Sequence, residues 1–170
     1  QEDFNYDFIK AVQPDVLVMV NPVSPLIDSD DIDQMVDYFQ ANHLDTLIAV
    51  RNEQIHANYQ GHPINFDTNR RLMPTQDLLP IQLCAWSICI WKGETFVKQY
   101  ESQGHATFSG RVGFYPLDRF RSLKISTEED FILADILIRN IHRWKYPSVP
   151  YDSEQISPDY PAMWLSEINY

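Results

Sequence analysis

The segment Val16-Leu-Val-Met-Val20 is five apolar residues without alternation, and it runs directly into Asn21-Pro22-Val23-Ser24-Pro25-Leu26. A strand that is apolar at every position needs cover on both faces, the pattern of a central strand in a parallel sheet. Two prolines so close together permit neither helix nor central strand, so the chain leaves the sheet through a rigid loop. Open α/β sheets bind ligands beyond the C-terminal ends of their strands, which makes this loop the first place to look for chemistry. A helix is expected next, from about Ser29 to Asn42. Ser29 is placed to cap it, Asp30, Asp31 and Asp33 complement its dipole, and Ile32, Met35, Val36 and Phe39 form its apolar stripe. The acidic run from Asp28 to Asp33 lacks the glycine and terminal glutamate of a calcium loop. Thr46-Leu-Ile-Ala-Val50 reads as the following strand, and strand, helix and strand together make a right-handed βαβ unit.

The rest of the chain is consistent with an α/β domain. Residues 2–13 carry Phe4, Phe8, Ile9 and Val12 at helical spacing. Residues 51–80 are polar and irregular, suited to a β-hairpin or an excursion from the sheet. Leu83–Trp91 is a further strand, followed by a short helix near Glu94–Gln103, a loop from Gly104 to Gly110 and a short strand over Arg111–Tyr115. Ser126-Thr-Glu-Glu129 has the form of a capping box, and Phe131, Ala134, Ile138 and Ile141 mark a helix running to about Trp144. Residues 145–170 hold four prolines and several aromatics, and read as a tail. The expected division is therefore a domain over 1–144 and a tail over 145–170.

Charge narrows the partners. Thirteen Lys and Arg face 24 Asp and Glu, a net charge of −11, which repels phosphate backbones and argues against nonspecific nucleic-acid binding. No apolar run approaches the ~20 residues that span a membrane. Cys84 and Cys89 are the only cysteines; with so few thiols a zinc site is not supplied, and the expectation is two buried reduced cysteines in a reducing, cytoplasmic compartment. The five histidines are scattered, and no Walker A loop, GxGxxG, GxSxG or HExxH occurs.

At Asn21-Pro-Val-Ser-Pro-Leu26 the chain resembles the acylneuraminate cytidylyltransferases, the CMP-sugar synthetases. In that family a strand leads into Q-P-T-S-P-L-R and a helix opening with D-I-D, here Asp31-Ile32-Asp33. Ile125-Ser-Thr-Glu-Glu-Asp-Phe-Ile-Leu-Ala134 is similar to the family's closing I-D-T-E-E-D-F-x-x-A-E. Thr75-Gln76-Asp77-Leu78 and Ala85-Trp-Ser-Ile-Cys-Ile90 fall where the family has R-Q-D-L-P and N-G-A-I-Y-I. The resemblance covers about residues 1–144 and implies a Rossmann-like three-layer α/β/α fold of the nucleotide-diphospho-sugar transferase type. It implies transfer of CMP from CTP to a sugar acid such as a nonulosonic acid, with release of pyrophosphate, Mg2+ as cofactor, and a homodimer.

The departures from the pattern are specific. The family's N-terminal strand and phosphate loop have no counterpart, so the resemblance implies an incomplete sheet and a chain that does not turn over CTP by itself. Asn21 replaces the loop glutamine with a shorter amide. Thr75 replaces the arginine expected for a sugar carboxylate, with Arg70 or Arg71 nearby as substitutes. Ala85-Trp86 replaces the Asn-Gly pair. Lys124 and Ser126 take the positions of the metal-binding D-x-D, and neither offers a carboxylate. The candidate substrate-binding residues are Asn21, Ser24, Arg71, Gln76 and Lys124: Asn21 and Ser24 for sugar hydroxyls, Arg71 for a carboxylate, Lys124 for a phosphate. A non-catalytic binding or dimerisation module of the same fold is the alternative.

Overall fold

The computed structural model describes residues 2–140, and the chain divides into two compact units, Gln1–Ala134 and Asp135–Tyr170. The tail expected over 145–170, and the helical residues expected up to Trp144, lie outside the described residues.

The first unit is a three-layer α/β/α domain. Its elements are α1 (Glu2–Val12), β1 (Val16–Val20), α2 (Ser29–Ala41), β2 (Thr46–Glu53), a small hairpin β3 (Asn58–Tyr59) and β4 (His62–Pro63), β5 (Ile81–Lys92), α3 (Gly93–Gln103) and β6 (Val112–Leu117). Helix α4 follows over Glu128–Asn140. The central sheet has the order β1-β5-β2-β6, with β5 antiparallel to both its neighbours and β2 parallel to β6. Strands β1 and β2 therefore run in the same direction with β5 inserted between them, so the βαβ unit skips one strand. Both faces are covered. Met35 and Phe39 of α2 pack on Leu47, Ala49, Ile88 and Ile90, while Ile9 of α1 and Phe96 of α3 pack on Ile48, Cys89 and Trp91. Ile48, Ile88 and Ile90 are fully buried, and burying each side chain contributes roughly 1.5–3 kcal/mol.

Four expectations are corrected. First, β1 is an edge strand beside an antiparallel neighbour, not the centre of a parallel sheet. Its unbroken apolar run reports cover from two helix layers, since Val16 and Val18 join one core and Leu17 and Met19 the other. Cover above and below does not require a strand on each side. Second, the cap of α2 is Asp28 rather than Ser29: the Asp31 amide donates to its carboxylate and the Asp28 amide to that of Asp31. Third, the box at α4 is shifted by one residue. The Asp130 carboxylate accepts from the amides of Ser126 and Thr127, both at 2.9 Å, and the Thr127 hydroxyl accepts from the Asp130 amide. Aspartate reaches the amides at this spacing, whereas Glu129 is exposed. Fourth, Cys84 is exposed and only Cys89 is buried. Among the described residues no helix is long and apolar enough to cross a membrane.

Candidate functional site

The regular ladder of the sheet breaks at one place. Ile48 pairs with Cys89 and Val50 with Cys84, so two steps along β2 match five along β5. The extra residues form a bulge over Ala85–Ile88, where β1 ends with Val20 paired to Ile88. Trp86 sits in this bulge with φ of 57°, the left-handed region, where a bulky side chain is an outlier. The position corresponds to the glycine of the Asn-Gly pair in the family that the sequence resembles, a residue for which this conformation is free of strain.

The proline loop docks on the bulge. The Asn21 amide donates to the Ser87 carbonyl at 2.8 Å, and the Asn21 side-chain oxygen accepts from the Val23 amide at 3.3 Å, closing an Asx turn. A third segment, 118–125, completes the rim. The Ile125 amide donates to the Val23 carbonyl at 2.8 Å. Arg121 pairs with Asp28 at 2.5 Å and Asp31 at 3.4 Å, and also donates to the Leu26 carbonyl. This one guanidinium ties the 118–125 loop to the proline loop and to the start of α2. Burial lifts the Asp31 carboxyl above its ordinary range despite the Asp28 amide and Arg121. At Asp28 burial pulls upward too, but the Asp31 amide and Arg121 outweigh it and hold the carboxyl below its usual range.

Two small cavities open here, at the C-terminal ends of β1 and β6. One, of about 280 Å3, is lined by Asn5, Asn21, Trp86 and Lys124 among others. The second, of about 220 Å3, is lined by Arg51, Cys84, Lys124 and Asp130 among others. Lys124 is exposed and borders both. Buried polar atoms without a hydrogen-bond partner gather in the same region: Ser24 Oγ, Ser87 Oγ and Arg51 Nε. The Arg51 Nε lies 2.8 Å from Glu53 Oε1 but off its N–H axis, an ion pair without a hydrogen bond. Such groups are rare in folded proteins and cost stability where they occur, and the two serine hydroxyls lie at the same end of the sheet as the cavities. A larger groove of about 680 Å3 between α1 and α3 lies at the opposite end of β1, near Pro14 and Asp15, and the Lys10–Glu101 ion pair at 2.8 Å borders it.

Of the five residues singled out in the sequence, Asn21 and Lys124 share a cavity, and Ser24 lies buried in the loop beside them. Arg71 and Gln76 line neither cavity. Both are exposed, and the Gln76 carbonyl accepts from Gln54 at 2.8 Å. Arg70 is paired with Asp67 at 3.2 Å on the surface. Trp86, Asn5, Arg51 and Arg121 were not foreseen as site residues. The first was visible only as a departure from Asn-Gly; the others left no local signal, since each is brought in by the tertiary fold.

The positions of the family's D-x-D do not suit a magnesium ion. Lys124 is a cation, Ser126 has given its amide to Asp130, and the Asp130 carboxylate already caps α4. Among the described residues no three His, Cys, Asp or Glu side chains gather into a metal-binding group.

Comparison with known proteins bears on the fold. No family model matches the sequence, and no curated protein does so significantly. Among solved structures, the chain is similar to a 4-diphosphocytidyl-2C-methyl-D-erythritol synthase from Anaerococcus prevotii, with a TM-score of 0.54 and 13% identity, covering 82% of this chain and 64% of that one. A 2-C-methyl-D-erythritol 4-phosphate cytidylyltransferase from Thermus thermophilus aligns with a TM-score of 0.47 at 11% identity, over 79% of this chain and 67% of that one. The domain has the nucleotide-diphospho-sugar transferase-like fold of the Anaerococcus structure. It spans a little under two thirds of the Anaerococcus structure, at 64%.

Proposed function

We propose that this chain is part of a nucleotidyltransferase of the cytidylyltransferase type, transferring CMP from CTP to a sugar acid with release of pyrophosphate. The observation that carries the reading is the convergence of Asn21, the β5 bulge and Lys124 on one cavity, at the strand ends where this fold class binds ligands. The acylneuraminate-like motifs supply the finer choice of a sugar acid: the proline loop and the segment entering α4 both border this region. In the proposed reaction a sugar hydroxyl attacks the α-phosphate of CTP in line and pyrophosphate leaves. Lys124 contacts a negatively charged group of the substrates, and Asn21 a hydroxyl. Magnesium belongs to the proposal as an ion carried by the triphosphate, because the protein side offers no ligand set for it. A homodimer is part of the same proposal and is read out by light scattering.

Calorimetric titration of CTP into the chain, with magnesium and with and without N-acetylneuraminate, tests the reading. Saturable CTP binding that weakens about tenfold, about 1.4 kcal/mol, in Lys124→Ala supports it. An absence of CTP binding in every combination rejects it. The lysine at the D-x-D position favours a second reading, a binding module without catalysis. Linkage separates the two: CTP binding that tightens when N-acetylneuraminate is present selects the transferase, and CTP binding indifferent to it selects the module.

A further inference from the structure

The outer edge of β1 is an unguarded border of the sheet. At the two ends of its ladder to β5, the Asn21 amide donates to the Ser87 carbonyl at 2.8 Å and the Gly93 amide to the Asp15 carbonyl at 2.9 Å. The register from Val16↔Lys92 to Val20↔Ile88 runs between these two pairs without a break. Hydrogen-bonded and non-bonded positions alternate along an antiparallel ladder. Leu17 and Met19 therefore bond inward to β5, and the N–H and C=O groups of Val16, Val18 and Val20 turn outward. Among the described residues no hydrogen bond reaches these outward groups. Edge strands are usually guarded by a charge, a proline or a bulge. β1 has none of these between Val16 and Val20, whereas β6 at the opposite edge carries Pro116. Prolines stand only at the two ends of β1. Counted in steps of two, the outward row reads Pro14, Val16, Val18, Val20, Pro22, the same in both directions about Val18.

A second observation lies beside this edge. Ile9 seats α1 on the core that Leu17 joins. The flank of α1 toward α3 is engaged: Tyr6 stacks on Tyr100 with ring centroids 4.4 Å apart, and Lys10 pairs with Glu101 at 2.8 Å. Helix α3 in turn reaches toward β2, where the Thr95 hydroxyl donates to Asp45 at 2.9 Å. The opposite flank of α1, on the side of the free edge, carries Phe4, Phe8 and Val12 at four-residue spacing, one above the other. These are 72%, 40% and 57% exposed. A large apolar row on the surface, next to an unpaired strand, is the mark of an interaction surface.

We infer that the β1 edge pairs with the β1 edge of a second copy of this chain, antiparallel about a two-fold axis through Val18, to make one continuous sheet. Under that axis Val18 faces Val18 of the partner subunit, and Val16 faces Val20 of the partner subunit. Each such pair exchanges two N–H···O bonds, because these residues present donor and acceptor outward. Beyond them Pro14 meets Pro22 of the partner subunit, neither has an N–H, and the ladder stops at both ends. A two-fold interface needs a self-complementary patch, and a row that reads alike in both directions supplies one. The axis is perpendicular to the sheet, so α1 of both copies lies on the same face. Paired strands lie ~4.8 Å apart and packed helices ~8–10 Å apart, so a helix seated just inside β1 meets its copy across the junction, apolar row against apolar row. A lone peptide strand would pair with the edge but leave the row on α1 open. The inference specifies the surface of the homodimer proposed above and rests on the fold rather than on the transferase reading, which CTP titration tests separately.

The test is sedimentation equilibrium of the full chain and of Val18→Pro, Phe4→Glu and Tyr59→Glu, with amide exchange on the unsubstituted chain. The chain is expected to be a dimer that dissociates on dilution. Val18→Pro deletes an outward donor that no bond within the sheet uses, and weakens the dimer by about 100-fold or more. Phe4→Glu changes a position that is exposed in the single chain, so it keeps the fold where a proline might disturb β1, and weakens the dimer about tenfold. Tyr59→Glu, on the exposed hairpin strand β3, leaves it unchanged. The amides of Val16, Val18 and Val20 are expected to be protected in the dimer and to exchange faster on dilution, while the Leu17 amide, bonded to β5, stays protected. A chain that is monomeric at its highest soluble concentration overturns the inference, as does a dimer indifferent to Phe4→Glu or one that Tyr59→Glu dissociates. Protection at Val18 that does not depend on concentration also overturns it, by giving the edge to a segment of the same chain.

Discussion

The two halves of β5 differ more than any two strands of the molecule. From Ser87 to Trp91 every residue is buried, and the strand pairs with β1 from Ile88 on one side and with β2 from Cys89 on the other. From Ile81 to Trp86 every residue is half-buried or exposed, β1 has ended, and the ladder to β2 is interrupted by the bulge. The first half is held by apolar contact with helices on both faces. The second is held by hydrogen bonds and one arginine acting through neighbouring loops, and it borders both cavities. The buried core and the cavity rim are thus placed on consecutive stretches of a single strand, with Ser87 at the junction.

The largest contrast is expected in thiol chemistry, because each half carries one cysteine. Burial pushes the Cys89 thiol up to about 12, so it has almost no thiolate near neutral pH. Its reaction with a disulfide reagent requires the domain to open. For an ordinary stability of roughly 5–15 kcal/mol, opening slows the reaction by a factor of about 10^3 or more. Cys84 is also raised by burial, but it is exposed at the cavity that Arg51 and Lys124 line. One thiol per chain is expected to react in the folded protein and the second only in denaturant. Two thiols reacting at one rate would erase the difference between the halves.

The second largest effect separates the halves by stability. Ile90→Ala removes a fully buried side chain between α2 and the sheet and is expected to cost about 2–5 kcal/mol, read as a lowered urea midpoint. An exposed position of the other half, Leu83→Ala, is expected to change it by no more than about 0.5 kcal/mol. Equal costs would mean that the bulged half is as much a part of the core as the regular one.

How far the sequence discloses each half follows from the same physics. The regular half was readable because burial selects apolar residues in sequence, and the strand, its neighbours and helices α1 and α2 followed from apolar runs and apolar spacing. The strand order did not, since Val16–Val20 is equally apolar at an edge or at a centre. In the bulged half, a three-residue excess in pairing has no local signature, and Trp86 at positive φ runs against the residue preference for that conformation. Asn21 and Lys124, which line one cavity, stand in ordered motifs and so can be singled out from the sequence. Asn5 enters the same cavity from α1, which no motif connects to the rest.

A smaller effect tests the polar ties of the open end. Arg121 joins two carboxylates and a carbonyl while 28% exposed, so its loss leaves Asp28 and Asp31 facing each other with partial solvent screening. Arg121→Ala is expected to cost about 1–2 kcal/mol of stability, less than a core truncation. It also frees the 118–125 loop, so amide exchange should rise at Leu123 and Ile125 but not at Ile88 or Ile90. Uniform acceleration across β5 would show that this tie serves the whole sheet rather than its open end.

The smallest effect is in pH dependence. The Thr107 hydroxyl, followed by the amides of Thr107 and Ala106, holds Glu2 below its ordinary value of 4.5, against a weaker upward pull from burial. A carboxyl lowered by folding stabilises the folded state above its unfolded value, and that contribution is lost as pH falls through the folded value. Asp31 has the opposite sign. Its raised carboxyl makes ionisation a cost of folding near neutrality, and the cost disappears on acidification. The open end therefore carries two carboxyls that respond to acid in opposite directions. Glu2→Gln removes the first response, so the urea midpoint should fall less steeply between pH 6 and pH 3, where ~4.5 is the unperturbed centre of the titration. Asp31→Asn removes the second and should steepen the same fall. Identical slopes in wild type and Glu2→Gln would mean that the bond from α1 to Thr107 forms equally well with the neutral side chain, and that the open end is held by shape rather than by charge.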